Sequence, residues 1–265
     1  MPVIAISRGS LSGATLLAES VASELGIRCI SREIIAKAAV AAGVSETLLA
    51  EQMERPPSVF DRRSAEREAY LWCVRSALCQ YATQGSFVYH GHGGHLLLAD
   101  IPNLIRVGVV APMKFRIAAV MESHGLDSKA AMEHILRVDK YRDRWVRYLY
   151  GVDRLDSSFY DLTVNLERLD VETACKVLTQ IAGFERFAWD EESRQRVADA
   201  ALTTRVTAAL ATHGELPLAR LVLTAKANVL TISGKVRSNE VWDQTRATAE
   251  RVIGEAELSF QVTIA

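Results

Sequence analysis

The chain has no cysteine pair, no long apolar run and almost no net charge, and each absence removes a class of protein. Its four cysteines, Cys29, Cys73, Cys79 and Cys175, are scattered without a CxxC spacing. Neither a zinc framework nor a disulfide framework is supported, and reduced thiols in a cytoplasmic protein are the expectation. No stretch approaches the roughly 18 consecutive apolar residues that span a bilayer. The first apolar run, Pro2 to Ile6, is too short for a secretory leader and has no basic start. Lysine and arginine total 31 against 32 aspartates and glutamates, so no global field draws the chain to nucleic acid or to an anionic membrane. A nucleophile elbow of the GxSxG type is missing too.

What is present is a regular change of period. Val3-Ile4-Ala5-Ile6 is a short, wholly apolar run, as expected of a strand buried on both faces. Leu16, Leu17, Val21 and Leu25 then follow helical spacing, stopped by Gly26. Further strand-like runs lie at Ser86–Tyr89, Leu104–Val110 and Leu162–Val164, with helical patterns at Ala65–Thr83, Met113–His124, Ser128–Trp145 and Val171–Ala182. Strands alternating with helices predict an α/β fold, a parallel sheet covered on both faces. The charged piece "EQMERPPSVFDRRSAERE" reads as a mobile excursion from that sheet. After a linker at 184–192, a second unit begins. Residues 193–212 read as a helix, "ARLVLTAKA" and "NVLTISGKV" as strands joined around Ala227-Asn228, Glu240–Ile253 as a helix and "AELSFQVTI" as a last strand. That α-β-β-α-β order is enough for a small two-layer domain.

The opening stretch, "PVIAISRGSLSGATLLAESVASELG", reads as strand, small-residue turn and helix. A phosphate-loop motif, GxxxxGK followed by serine or threonine, wraps phosphates with backbone amides at a helix N-terminus, while its lysine reaches the outer phosphates and its hydroxyl meets magnesium. Here Gly13-Ala14-Thr15 occupies the closing positions and Arg8 stands where the first glycine belongs. Gly9, Ser10, Ser12 and Gly13 let the backbone curl, Thr15 keeps the magnesium hydroxyl, and Ala14 replaces the lysine. Arg8 is a candidate for the missing positive charge; a surface arginine and a plain turn are the alternatives.

Residues 1–183 resemble the cytidylate kinase-like family of phosphate-loop nucleoside monophosphate kinases. The resemblance is carried in order by "ISRGSLSGATLLA", "GIRCISREII", "GHGGHLLL", "NLIRVGVVAPMKFRI", "DKYR" and "YDLTVN". It implies a three-layer phosphate-loop fold, ATP with magnesium, and a small acceptor of the cytidylate type. The family commonly lacks the loop lysine. This chain departs from the pattern at Ser31, where an aspartate is expected, at His92, where an arginine is expected, and at Leu11, where a loop glycine is expected.

By that resemblance the nucleotide's phosphates fall to Arg8, Gly9, Ser10, Ser12, Gly13, Ala14 and Thr15, with Thr15 on magnesium. In the lid helix "RVDKYRDRWVRYLYG", which carries Arg137, Lys140, Arg142, Arg144 and Arg147, the phosphate contacts fall to Arg142 and Arg144, joined by Arg116. Phosphoryl transfer asks little covalent chemistry of a protein, so cations at the transferring group are what it needs. Asp139 lies three residues before Arg142 on one helical face, spaced to pair with it. Acceptor contacts fall to Arg32, Arg62, Arg63 and His92, with Arg67 beside them. The spacing of His90, His92 and His95 admits a metal site, although the intervening glycines favour a strand end turning into a helix. Trp72, Trp145, Trp189 and Trp242 are dispersed and read as core packing.

Residues 193–265 resemble a BON domain, a small module associated with binding to membranes, ligands or proteins. Two functions are therefore expected: an ATP-dependent kinase of a nucleoside monophosphate or related acceptor, or a nucleotide-binding regulatory protein that has lost turnover and acts through its C-terminal module.

Overall fold

The fold is taken from a computed structural model that describes residues 2–8, 13–31, 33–54, 64–91, 93–213 and 218–264. The chain runs β1 (Val3–Arg8), α1 (Ala14–Leu25), β2 (Arg28–Ile30), α2 (Glu33–Ala42), α3 (Glu46–Glu54), α4 (Ser64–Thr83), β3 (Phe87–His90), α5 (Gly94–Leu97), β4 (Leu104–Val110), α6 (Met113–His124), α7 (Ser128–Tyr150), β5 (Leu162–Asn165) and α8 (Val171–Ala182). It continues through α9 (Glu191–Thr212), β6 (Leu221–Lys226), β7 (Val229–Val236), α10 (Asn239–Val252) and β8 (Glu257–Ile264). The sequence excursion contributes the end of α3 and the start of α4; residues 55–63 between them lie outside the described residues.

The first five strands form one sheet in the order β2-β3-β1-β4-β5, every pairing parallel. Parallel strands need crossovers, and the intervening helices cover both faces. Strand β1 is the centre, and its side chains alternate between two cores. Ile4 and Ile6 pack with Val88, Ile105, Val107 and Val164 under α1 and α8. Val3 and Ala5 pack with Phe87, Tyr89 and Leu104 under α2, α4 and α5. Helix α1 buries Ala14, Leu17, Ala18, Val21 and Ala22, the i, i+3, i+4 stripe of a one-sided helix, and ends on a left-handed Gly26 whose amide bonds back to the last turn.

The C-terminal elements make a three-stranded sheet, β6-β7-β8, with β6–β7 antiparallel and β7–β8 parallel. The hairpin turn is the two-residue kind, with Ala227 and Asn228 both at positive φ. Buried Asp199 of α9 secures it by accepting hydrogen bonds from the Ala227 and Asn228 amides at 3.1 and 3.2 Å. The indole of Trp242 on α10 donates to the Val262 carbonyl at 2.8 Å, fixing the last strand.

Helix α9 belongs to two cores at once. Val197, Ala201 and Ala208 are buried with Tyr70, Cys73, Val74 and Leu78 of α4. Leu202, Val206 and Leu210 are buried with Leu230, Ile232 and Ala249 of the smaller sheet. Small residues let α9 lie close to both partners, and its buried Thr204 and Thr207 return their hydroxyls to carbonyls of the same helix. The approach to α9 is also fixed: the Trp189 indole donates to the Ser86 hydroxyl at 3.0 Å, and the Asn103 amide donates to the Ala188 carbonyl.

This sharing predicts the behaviour of a shortened chain. Ending the protein at Gly183 removes α9 and leaves Tyr70, Cys73, Val74 and Leu78 facing water. The expected product binds a hydrophobic dye and melts on the order of 10 °C below the full chain, read by calorimetry. A fragment that melts with the full chain would show that α4 does not need α9.

Candidate functional site

In open α/β sheets, ligands sit outside the carboxyl ends of the strands. Here those ends are Ser7–Arg8 of β1 and His90 of β3, adjacent in register, Ile6 standing opposite His90. Chain leaving β1 passes through residues 9–12 and re-enters description at Gly13, so Gly9, Ser10 and Ser12 lie outside the described residues, as does the Arg8 side chain. Gly13 caps α1 in the left-handed region at φ 83, with no side chain hydrogen-bonding the cap. A Cβ there would meet Leu166 at 2.9 Å, so the position is closed to other residues by both strain and space. Ala14 is buried in the α1 core, and Thr15 is half-buried on the next position.

The turn after β3 folds over one side chain. Added Cβ atoms at Gly91 and Gly94 would lie 2.3 and 2.6 Å from the Tyr89 ring and its hydroxyl, and Gly93 is left-handed at φ 63. Glycine is what lets this backbone cross the phenol and bring α5 against the end of β1. His95 on α5 thereby shares a hydrogen bond of 2.6 Å between its Nδ1 and the Ser7 hydroxyl, and both residues are almost wholly buried. Burial first, and then the charges of Arg106 and Arg154, push the His95 imidazole down to about 4, so it is neutral at physiological pH. Its Nε2 is buried without a hydrogen-bond partner.

Tyr160 packs its ring against His95 at 4.6 Å between centroids and donates its hydroxyl to the Arg154 carbonyl at 2.8 Å. Burial raises the Tyr160 phenol, while the Arg154 charge pulls the other way. Arg154 is buried, and its Nε donates to Asp143 of α7 at 2.8 Å. Between these parts lies a narrow cleft lined by Ser7, Gly91, Gly93, His95, Arg142, Trp145, Val146 and Arg154. Two guanidiniums thus face a glycine turn and an uncharged hydroxyl–imidazole pair, a setting that suits an oxyanion.

The residues singled out from the sequence divide sharply. Arg142 lines the cleft. Arg116 is buried and donates to Asp139 at 2.6 Å, so the carboxylate spaced to meet Arg142 also ties α6 to α7. Arg144 is exposed and is not among the lining residues, and Lys140 and Arg137 are exposed as well. Arg147 is exposed, 3.9 Å from Asp153, a surface pair worth little. Arg32, Arg62, Arg63 and His92 lie outside the described residues. His90 and His95 are both buried, and among the described residues no three histidine, cysteine or acidic side chains gather as a metal site. Ser7, Trp145 and Arg154 were not singled out for the site from sequence. Arg154 stands in a loop with no motif, and only its pairing with Asp143 eleven positions earlier gives it a role. Among the described residues no helix is long and apolar enough to cross a membrane.

A model of the Cytidylate kinase-like family matches residues 3–168. A cytidylate kinase of Staphylothermus marinus is 30% identical over 185 residues, covering 68% of this chain and 96% of that protein. One from Ignicoccus hospitalis is 27% identical over 184 residues, covering 68% and 99%. Among solved structures, an uncharacterized protein from Eubacterium ventriosum superposes with a TM-score of 0.53 at 24% identity, covering 68% of this chain and 98% of its own, a likeness of fold.

The buried imidazole makes stability depend on pH. Its folded-state value of about 4 lies below the ordinary 6.5, so between those values the unfolded chain binds more protons. Stability is full above about pH 6.5 and falls as pH drops toward 4. Urea unfolding at pH 7 and pH 4.5 is expected to show a loss on the order of 2 kcal/mol greater in the wild type than in His95→Asn. Equal losses in the two proteins would remove the imidazole as the cause.

Proposed function

Because the chain belongs to the cytidylate kinase-like family, we propose that it transfers a phosphoryl group from ATP to a nucleoside monophosphate of the cytidylate type or a related small acceptor. The observation that carries this reading is the cleft in which Arg142 and Arg154 face Ser7 and the Gly91–Gly93 turn at the carboxyl end of the sheet.

The residues fit the substrate's phosphates. Helix α1 starts at a glycine cap with no side-chain hydrogen bond from the described residues, so its first amides would be placed to meet an anion, and its dipole would add to their pull. Thr15 would hold magnesium, which when bound neutralises charge on the phosphate oxygens. With alanine at position 14, the cations for the transferring group come from the lid side: Arg142 from α7 and Arg154 from the loop after it. Asp143 holds Arg154 by its Nε, leaving the outer nitrogens of the guanidinium to reach an oxyanion. Trp145 and Val146 supply the apolar wall that keeps water from the transferring group.

Residues 193–265 read best as a BON-like binding module, built on α9 and docked against α4. A second reading, a nucleotide-binding regulatory protein without turnover, is favoured by the replacement of the loop lysine by buried Ala14.

Turnover of CMP, other nucleoside monophosphates and their deoxy forms with ATP and magnesium, followed by ADP release, separates the two. Arg142→Ala and Arg154→Ala are each expected to lower kcat by about 10²-fold or more, because removal of one positioned donor from a developing charge costs that much. A protein that binds ATP and magnesium but phosphorylates none of these acceptors would sink the kinase reading in favour of the regulatory one.

A further inference from the structure

Arg154 lines the cleft from a turn, and a turn is a poor base for a long side chain that has to stand in one place. Within the turn, the Asp156 amide bonds back to the Asp153 carbonyl at 3.2 Å and the Leu155 amide to the Asp153 carboxylate at 2.9 Å. Two bonds tie Arg154 itself to firmer parts of the fold. Asp143 on α7 accepts from its Nε at 2.8 Å, and its carbonyl accepts the Tyr160 hydroxyl at 2.8 Å. Among the described residues no backbone amide takes that carbonyl, so the phenol is its tie to the sheet.

Tyr160 is fixed in turn. Its amide donates to the Ser157 carbonyl at 3.1 Å. The next residue, Asp161, is locked to β4: its amide donates to the Arg106 carbonyl and its carboxylate accepts from the Arg106 amide, both at 2.8 Å. The ring lies where β4 lacks a side chain, since a Cβ on Gly108 would stand 3.3 Å from two of its carbons. His95 packs on the same ring at 4.6 Å between centroids.

We propose that Tyr160 is a positioning residue of the cleft: by holding the Arg154 carbonyl at the start of β5 while Asp143 holds the Nε, it sets where the outer nitrogens of that guanidinium stand over the phosphoryl group. This assignment rests on reading the cleft as the site of transfer. Held at Nε alone, the side chain would follow every movement of its turn; held at both ends, it is placed before substrate arrives. Phosphoryl transfer rewards such placement, because charge develops where the donor already stands, and a misplacement of about 1 Å costs on the order of 10²-fold. The Tyr160 hydroxyl spends its proton on the backbone, so it acts through Arg154.

A double-mutant cycle in the full-length protein separates that role from a general loss of packing. Tyr160→Phe keeps the ring against Gly108 and His95 and removes only the hydroxyl. With ATP, magnesium and CMP, Y160F is expected to lower kcat about tenfold while KM for ATP changes less than about threefold. In an Arg154→Ala background the same substitution is expected to change kcat less than about twofold, since nothing is left to position. Equal kcat in Y160F and wild type overturns the inference, as does the same factor in both backgrounds. Should Y160F fail to fold, Gly108→Ala replaces it in the cycle, pressing a Cβ on the ring with the hydroxyl in place; its loss of kcat, about threefold, should likewise vanish in R154A. Should the wild type transfer no phosphoryl group, the kinase reading fails separately. The cycle is then read on inorganic pyrophosphate affinity by calorimetry, expected to weaken about fivefold in Y160F and no further when Y160F is added to R154A. Pyrophosphate affinity untouched by Y160F, or weakened alike in both backgrounds, overturns the inference in that case.

Discussion

The structure depends on the burial of β1 from Val3 to Ser7. A strand with apolar side chains on both faces cannot leave its amides and carbonyls to water, so it must be flanked on both edges, here by β3 and β4. Parallel neighbours force each connection to cross a face, which supplies the helices that cover those side chains. The same arrangement brings the carboxyl ends of β1 and β3 side by side. Ser7, the glycine turn and His95 meet there because the sheet's centre has to be dry.

Around that centre the charges are arranged by pairing. Arg116 and Arg154 are both buried, and each is matched to one carboxylate of α7, Asp139 and Asp143. Four positions apart on a helix, these acids lie on one face and hold α6 on one side and the post-lid loop on the other. Buried guanidiniums without such partners would be costly; with them they become fixed points. Helix α7 therefore contributes acids that set the arginines as well as an arginine, Arg142, that lines the cleft.

Much of this was legible in the sequence. Short apolar runs marked β1, β4 and β5 to within about two residues, and helical spacing marked α1, with its closing Gly26, α6 and α8. The turn at Ala227-Asn228 was marked by Asn228, a type that tolerates positive φ; Ala227 takes positive φ too, without a residue-type preference for it. The site was harder, because its uncharged side is assembled across the fold: Ser7 and His95 are 88 positions apart, and no spacing rule connects them. Helix α9 was assigned wholly to the second unit for a related reason. Alanines and threonines all round it offer little contrast between faces, and two-sided burial erases the stripe by which a helix names its partner.

Helix α9 also fixes how the two units can speak to each other. A flexible tether would let the C-terminal unit act only through local concentration, tuned by linker length. A helix whose opposite sides are cemented into two cores has no such length to tune. The small sheet and α4 have α9 as a common packing partner, and α4 begins just after the stretch, 55–63, that holds Arg62 and Arg63. The join is therefore closer to a graft than to a chain of beads: whatever displaces α9 displaces one wall of the core around α4.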